Sequence, residues 1–317
     1  MTAAAPRTSP GAPPLARPTI AFAIFLAVLA AFYWRPLATL FQLALSRDTN
    51  SHILLVPFVS VALVWIDRAK VFAQTAASPR AAAAVFLGGV MLYALRTRLD
   101  LLVSGQALLT FTILSWVVLV WAGFLLCYGT PSFRAGLFPV LFLLLAVPIP
   151  DPVIERVILW LQQGSSEVTY WLFRATGTPV FRRGFIFTVP GQTIEVAQEC
   201  SGIRSSLAML ITCLLAGYLF LRTAWARLTL LLATVPVLVI KNGIRIVTLT
   251  LLSIHVDPSF LHGSLHHSGG FVFFLIGLII LWPLLVWLQR MESHSRAARG
   301  AGAAAHTLVR TEPHPGQ

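Results

Sequence analysis

The chain has 317 residues, of which 57% are hydrophobic and only 11% charged, and its mean hydropathy is +0.81. This composition excludes an ordinary soluble globular protein and predicts an integral membrane protein. The net charge of +12 does not predict a nucleic-acid binder, because the basic residues stand singly between apolar runs and form no basic stripe.

Apolar windows follow one another along the chain. Each is long enough, or nearly so, to cross about 30 Å of hydrocarbon as a helix. We therefore predict an all-α polytopic membrane protein with about eight transmembrane helices and a small external interfacial segment before the sixth. The windows are 19–34, 52–66, 82–95, 101–126, 135–149, 201–221, 228–254 and 270–289, and the external segment is 150–200.

The two ends of the chain differ in composition from its apolar middle. Residues 1–18 and 291–317 are rich in Ala, Pro, Gly and Arg, which predicts a disordered leader and a disordered tail. Arg35-Pro36 closes the first window without a clear small-residue cleavage site, so we interpret that window as an anchor rather than a secretory signal. The membrane domain is predicted to occupy residues 19–290.

Positive charge decides the predicted orientation. If both termini lie inside, twelve basic residues and only three acidic residues are on that side. Cytoplasmic loops carry an excess of Lys and Arg, so we expect both termini in the cytoplasm. The 150–200 segment, the start of the sixth span and the link before the eighth span then lie at the outer face of the cell's inner (cytoplasmic) membrane.

The external segment carries two patterns. Its first part repeats apolar residues at helical spacing, which predicts a helix on or in the outer interface. Period-two alternation in TIEVAQ, with turn signals at Gly184 and Pro190-Gly191, predicts a small hairpin that leads into Cys200. Such a hairpin could hold an extended peptide by strand addition.

Cys200 stands at the edge of the sixth window, followed by Ser201 and Gly202, where a helix is predicted to begin. A thiol at a helix N-terminus feels unpaired backbone N–H groups and the positive end of the helix dipole, which stabilise a thiolate. The same N–H groups could bind an oxyanion. Cys127 and Cys213 lie inside apolar runs, as buried inert thiols do, and a structural role is the alternative for Cys200 also.

A second polar group, KNGIRI, lies within the seventh window. A guanidinium at this depth is expected to face the bundle interior or a wet cavity. Lys241 and Arg245 repel one another at i and i+4, with Asn242 between them, so a nearby anion or water-filled cleft is implied. A thiolate or an oxyanion would suit both cations. The alternative is that they snorkel outward or pair with an external acid such as Glu195 or Glu199.

Four histidines, His255, His262, His266 and His267, crowd the link before the eighth window. Histidine is the usual proton carrier near neutral pH, so one of them could deprotonate a thiol and later protonate a leaving amine. A metal site is the rival, since His262 and His266 have i, i+4 spacing. An intervening glycine and the lack of a carboxylate partner other than Asp257 weaken that case. We predict no metal and no other cofactor.

Six stretches in a fixed order carry a resemblance to a known family. They are SHILLVPFVSVALVW, FPVLFLLLAVPIPDPVIERV, GTPVFRRGFIFTVPG, EVAQECSGIRSSLAML, NGIRIVTLTLL and HHSGG, within roughly residues 50 to 285. Together they resemble the exosortase/archaeosortase membrane transpeptidases. The resemblance implies that Cys200 is the nucleophile and that Arg245 is an essential arginine. The family's H-x-x-G-G spacing implies His266 as the histidine of the site, with His267 beside it.

The resemblance also implies a function. Such enzymes cut C-terminal sorting tails, made of a short signature such as Pro-Glu-Pro, a transmembrane helix and a basic end, and transfer the new C-terminus to an acceptor. We therefore expect a cysteine-type transpeptidase or peptidase whose partners are exported proteins with such tails, an acceptor and the lipid bilayer. The alternative is an anion-binding transporter or channel that uses Lys241 and Arg245. It would show an inverted repeat, and none is evident in the sequence.

Overall fold

The computed structural model describes residues 16–99, 105–197, 202–261 and 270–310. The chain divides into two compact units, residues 1–154 and 155–317, and each is described by itself. The described residues are mainly helical, since a chain in hydrocarbon must satisfy its backbone N–H and C=O groups internally. The predicted helical class is thus found, with one small sheet in the second unit.

The first unit is a succession of helices, four of which pack against a long central one. They are α1 (Ala16–Phe32), α2 (Trp34–Ser46), α3 (Val56–Ile66), α4 (Arg68–Val71), α5 (Pro79–Leu99), α6 (Gly105–Cys127), α7 (Gly129–Ala135) and α8 (Leu137–Phe142). Helix α6 is that central helix, and it packs against α1, α2, α5 and α7. It has no charged residue, which is typical of a helix surrounded by other apolar helices.

Buried hydroxyl groups join three helices of this unit. Tyr33 stands at the bend between α1 and α2, and its hydroxyl lies 2.7 Å from the hydroxyl of Ser115 on α6. Ser115 in turn donates to the backbone oxygen of Gly89 on α5, at 2.9 Å. A Cβ on Gly89 would lie 2.8 Å from the Leu119 side chain, so glycine is what lets α5 and α6 approach so closely.

The second unit contains three further membrane helices, a preceding amphipathic helix and the sheet. Its elements are α9 (Asp151–Ala175), β1 (Phe181–Arg183), β2 (Ile186–Val189), β3 (Gln192–Glu195), α10 (Ile203–Phe220), α11 (Ala224–His255) and α12 (Gly270–Arg310). The strands are antiparallel in the order β1-β2-β3. The helix and the hairpin predicted for the external segment therefore both form, and the hairpin gains a third strand.

One face of the sheet is buried against helices α9 and α11. Phe187 and Val189 of β2 pack with Phe173 of α9 and Val247 of α11 in a cluster of buried side chains. Near the C-terminal end of α11, Gln192 donates to the backbone oxygen of Thr250 at 3.3 Å. The sheet is therefore fixed to the two helices by both apolar and polar contacts.

A carboxylate on α12 accepts hydrogen bonds from the two residues that precede α11. Both backbone N–H groups before the helix, those of Arg222 and Thr223, donate to Glu292, with shortest N–O distances of 3.0 and 2.7 Å. The Thr223 hydroxyl also donates to Glu292 and accepts from the backbone N–H of Ala226. A carboxylate at a helix N-terminus satisfies unpaired donors and complements the helix dipole.

Five helical segments of the described residues are long and apolar enough to cross a membrane, and seven if each of two bent pairs is one span. The chain is therefore a multi-pass membrane protein. The predicted number of eight is not confirmed, because α5 fills the third window but is not among these candidate segments. Alanines, glycines and three arginines make α5 less apolar. The bent pairs are Ala16–Phe32 with Trp34–Ser46, and Gly129–Ala135 with Leu137–Ala146, each bent by 79°.

The C-terminal helix runs beyond the last apolar window. The sequence predicted an unstructured tail over 291–317, whereas α12 continues to Arg310. This stretch is rich in alanine, which has the highest intrinsic helix propensity, so the helix can extend past the apolar segment. The predicted leader, 1–18, lies outside the described residues except for its last three, which begin α1.

Candidate active site

The predicted site residues divide into those whose placement the structure describes and those that lie outside the described residues. The first are Gly202, Lys241, Asn242 and Arg245, and the second are Cys200, Ser201, His262, His266 and His267. The described part of the candidate site therefore consists of the first group. The second group is connected to it by the sequence alone, since Cys200 precedes Gly202 by two residues.

Gly202 starts α10 in a conformation that suits only glycine. Its φ of +70° lies in the left-handed region, where a Cβ is disfavoured. Its backbone oxygen accepts from the Ser206 N–H at 2.9 Å and from the Ser205 hydroxyl at 3.1 Å, which completes the first helical turn. A Cβ on Gly202 would also lie 2.7 Å from Oδ1 of Asn242, so α11 approaches this turn closely.

Asn242 joins α11 to α9. Its side chain is 1% exposed, and its Nδ2 donates to the hydroxyl of Ser165 at 3.0 Å. Ser165 is itself fully buried. A buried amide that is hydrogen-bonded fixes the rotation of one helix against another, since any slip would leave polar groups unsatisfied. Asn242 therefore contacts both α9, through Ser165, and the start of α10, at Gly202.

Lys241 points into the second unit rather than toward solvent. Its side chain is 1% exposed, and its ammonium donates to the hydroxyl of Ser205 on α10. The aliphatic stem passes beside α12, where a Cβ on Gly277 would lie 3.4 Å from Cδ of Lys241 and 2.5 Å from Sδ of Met209. Lys241 therefore does not snorkel outward, which was the alternative interpretation of its position.

Gly243 brings α9 and α11 into backbone contact one residue later. A Cβ there would lie 2.5 Å from Cγ1 of Val168 on α9. Lys241, Asn242 and Gly243 therefore each contact different neighbours, and we refer to these three residues as the KNG junction. Through it, α11 touches α9, α10 and α12 at one level of the helix.

Arg245 lies one helical turn beyond Lys241 and is half-buried. Residues four apart share a face of an α-helix, so the guanidinium and the ammonium stand on the same side of α11. Two positive charges in an apolar environment create a field that favours a negative group nearby. Such a pair of cations favours an anion on that side of α11.

Helix α9 has a buried polar face that was not predicted from the sequence. Gln162, Ser165, Ser166 and Thr169 are all buried, and Gln162 donates through Nε2 to the backbone oxygen of Val196, just after β3. The signal was present in the sequence, because these four polar residues recur at helical spacing. The sequence predicts a helix on or in the outer interface, and the structure shows that its polar side is buried.

One of three comparisons with known proteins found a match. The family model described as Transmembrane exosortase (Exosortase_EpsH) matches residues 44–283, which is more than half of the chain. The matched range includes the external segment, the KNG junction and Arg245. No curated protein and no solved structure matches the chain. The chain belongs to the transmembrane exosortase family.

Proposed function

We propose that the protein is a membrane-embedded cysteine transpeptidase or peptidase that cleaves the C-terminal sorting tails of exported proteins. Family membership supports this proposal. The single observation that supports it best is the contact of Asn242 with Gly202, which holds the start of α10 against α11. A helix start that follows a cysteine by two residues in the sequence is a setting that favours a nucleophilic thiolate.

The proposed orientation has eight spans, with both termini in the cytoplasm and the site at the outer face of the inner membrane. The distribution of Lys and Arg among the connecting segments supports it. It places the sheet and the outer end of α11 on the side where an exported substrate is found. The membrane domain would occupy 19–290, with its external segment at 150–200.

In the proposed reaction, the Cys200 thiolate attacks the carbonyl carbon of the scissile peptide bond. The carbonyl oxygen gains negative charge, which Arg245 and backbone N–H groups at the start of α10, near Ser201 and Gly202, stabilise. His266, or its neighbour His267, accepts the thiol proton and donates it to the leaving amine. The resulting thioester then reacts with an amine, a hydroxyl group or water, and the thiol is regenerated.

Replacement of the cysteine tests this proposal. Cys200→Ala should abolish cleavage, while Cys127→Ala and Cys213→Ala should retain it, since both of these lie within apolar helices. Cys200→Ser should also be nearly inactive, because a hydroxyl is far less acidic than a thiol. The assay is co-expression with a tagged protein that ends in a sorting tail, with loss of the tail followed by mobility shift. Continued cleavage by Cys200→Ala at normal membrane abundance would contradict the proposal and favour the anion-transport alternative.

A further inference from the structure

A cavity of about 510 Å³ in the second unit has no role in the proposed chemistry. It lies between the C-terminal half of α9 and the turn that joins β1 to β2. Its lining includes the charged pair Glu167 and Arg182 and the aromatic side chains of Tyr170, Trp171 and Phe181. A few fixed polar groups among aromatic walls are typical of a ligand site.

Arg182 is held in place at this cavity. Its Nε donates to the backbone oxygen of Gly184 at 2.9 Å, and one terminal nitrogen donates to Oε1 of Glu167 at 2.7 Å. The guanidinium also stands 5.6 Å from the ring centroid of Phe187. A guanidinium has five N–H donors, so these two bonds leave donors for a ligand. Its side chain is 21% exposed, whereas that of Glu167 is 61% exposed, so Glu167 is the more readily displaced partner.

Aromatic side chains form the walls of the cavity. Trp171 and Phe181 are 63% and 70% exposed, and the Tyr170 and Trp171 rings meet edge to face, with centroids 5.9 Å apart. Large exposed aromatic groups indicate a surface that binds something. Flat rings beside an arginine suit a peptide, whose apolar side chains would lie on the rings while an acidic side chain reaches the guanidinium.

The edge of β1 that faces away from β2 lies beside the cavity. β1 pairs with β2 on one side, and within the described residues no strand pairs with the other side. An open strand edge presents backbone N–H and C=O groups to which an extended peptide can bond. Lipid tails cannot satisfy such groups, so a polypeptide is a better occupant of this edge than hydrocarbon.

The sheet connects this edge to the proposed site. A peptide added beside β1 would lie three strand spacings from β3, about 14 Å, which about four extended residues can cover. β3 ends at Glu195, five residues before Cys200 in the sequence. A peptide added to β1 would thus be held on the same sheet whose last strand leads, in the sequence, to Cys200.

We propose that the β1 edge and this cavity form a subsite for the extended part of the substrate tail, in which Arg182 binds an acidic side chain of that tail in place of Glu167. This inference rests on the proposed function. It makes Arg182 a residue that selects the substrate, while the chemical step stays with the site on α10 and α11.

The two partners of the ion pair give opposite predictions. Arg182→Gln should raise KM for a tail with one acidic residue about tenfold, because a charge-assisted hydrogen bond is lost, and should leave kcat nearly unchanged. Glu167→Gln should lower KM, since it removes a carboxylate that competes for the guanidinium. Arg182→Glu should restore cleavage of a tail whose acidic residue is replaced by lysine. The control is Arg47→Gln, which removes another exposed ion pair, with Asp151, and should not alter KM.

Equal effects of Arg182→Gln and Glu167→Gln, with no rescue by the lysine tail, would show that the pair only stabilises the hairpin and would overturn the proposal. Binding is measured separately in Cys200→Ala, with a photoreactive benzoylphenylalanine in place of Phe181. The expected result is a crosslink to the tail that an excess of unlabelled tail peptide prevents. A crosslink to lipid alone would overturn the subsite. Since this measurement needs no turnover, it remains valid even if Cys200 proves not to be the nucleophile.

Discussion

Helix α6 of the first unit and helix α11 of the second are both long and apolar, but their buried polar residues differ in charge. In α6, Thr112 donates to the backbone oxygen of Leu108 in its own helix, at 2.7 Å. Ser115 bonds to a neighbouring backbone oxygen and to the Tyr33 hydroxyl. These groups are uncharged, and their hydrogen bonds are satisfied by packing partners alone.

In α11, by contrast, the buried polar groups include a charge. Lys241 donates to Ser205 of α10, and Asn242 donates to Ser165 of α9. Burial of a cation in a membrane helix requires specific compensation, and a cluster of such groups is a hypothesis of function. The difference teaches that a buried polar residue in an apolar helix is most informative when it carries charge, since both helices have partners that are distant in the sequence.

The largest expected effect in this comparison is at Arg245. Arg245→Lys should insert normally but lose processing by about 100-fold, because an ammonium offers a point charge in place of a planar fork that contacts two acceptors at once. Processing of a tagged substrate is measured beside membrane abundance. Near-normal processing by this variant would mean that only the charge matters and that α11 does not need a guanidinium.

The next effect in size is expected at the start of α10. Gly202→Ala should lower processing by tens of fold, roughly, because a Cβ strains a left-handed residue and displaces Asn242 by contact at 2.7 Å. Gly177→Ala is the matched control, since Gly177 has the same φ of +70° but no atom within 4 Å of an added Cβ. It should cost about 1 kcal/mol of stability and little processing. If both variants lost processing equally, backbone strain alone would account for the effect.

A smaller loss is expected at Lys241. Lys241→Gln should reduce processing several-fold, roughly, since it keeps a donor for Ser205 and removes a like charge four residues from Arg245. The loss should be in kcat rather than KM, because the residue does not lie in the cavity beside β1. A complete loss here, together with an active Arg245→Lys, would exchange the roles of the two cations.

The smallest effect on processing is expected in α6. Ser115→Ala removes the partner of the buried Tyr33 hydroxyl and should lower the free energy of unfolding by about 1–2 kcal/mol. Processing per folded molecule should not change, as measured by activity normalised to membrane abundance after mild heating. A specific loss of processing at full abundance would remove the distinction between α6 and α11.

Periodicity and hydropathy were sufficient to predict where most helices lie. The window 228–254 became α11, Ala224–His255, and 101–126 became α6, Gly105–Cys127. The bend at Tyr33 was not predicted, because Arg35-Pro36 was interpreted as the end of a span. Proline is tolerated in the first turn of a helix, and α2 accordingly continues through it after a sharp change of direction.

The contacts of the KNG junction could not be predicted in the same way. The depth of Lys241 in an apolar run indicated that it needs compensation, but not that Ser205 supplies it. Asn242 and Ser165 are 77 residues apart, and no local pattern states which faces of two helices meet. The polar face of α9 shows the same limit, since periodicity identifies a face without saying whether water or another helix covers it.

The length of α11 gives the proposed enzyme a molecular ruler. Its 32 residues extend about 48 Å at 1.5 Å each, which exceeds the hydrocarbon thickness of about 30 Å. With the inner end held by Glu292, Arg245 stands about 32 Å along the axis, level with the outer boundary of the hydrocarbon in the proposed orientation. A substrate whose own helix matches the bilayer would present its scissile bond at that level. A helix about one turn longer would move the bond about 5 Å away, so bilayer thickness itself would help to decide which tails are cut.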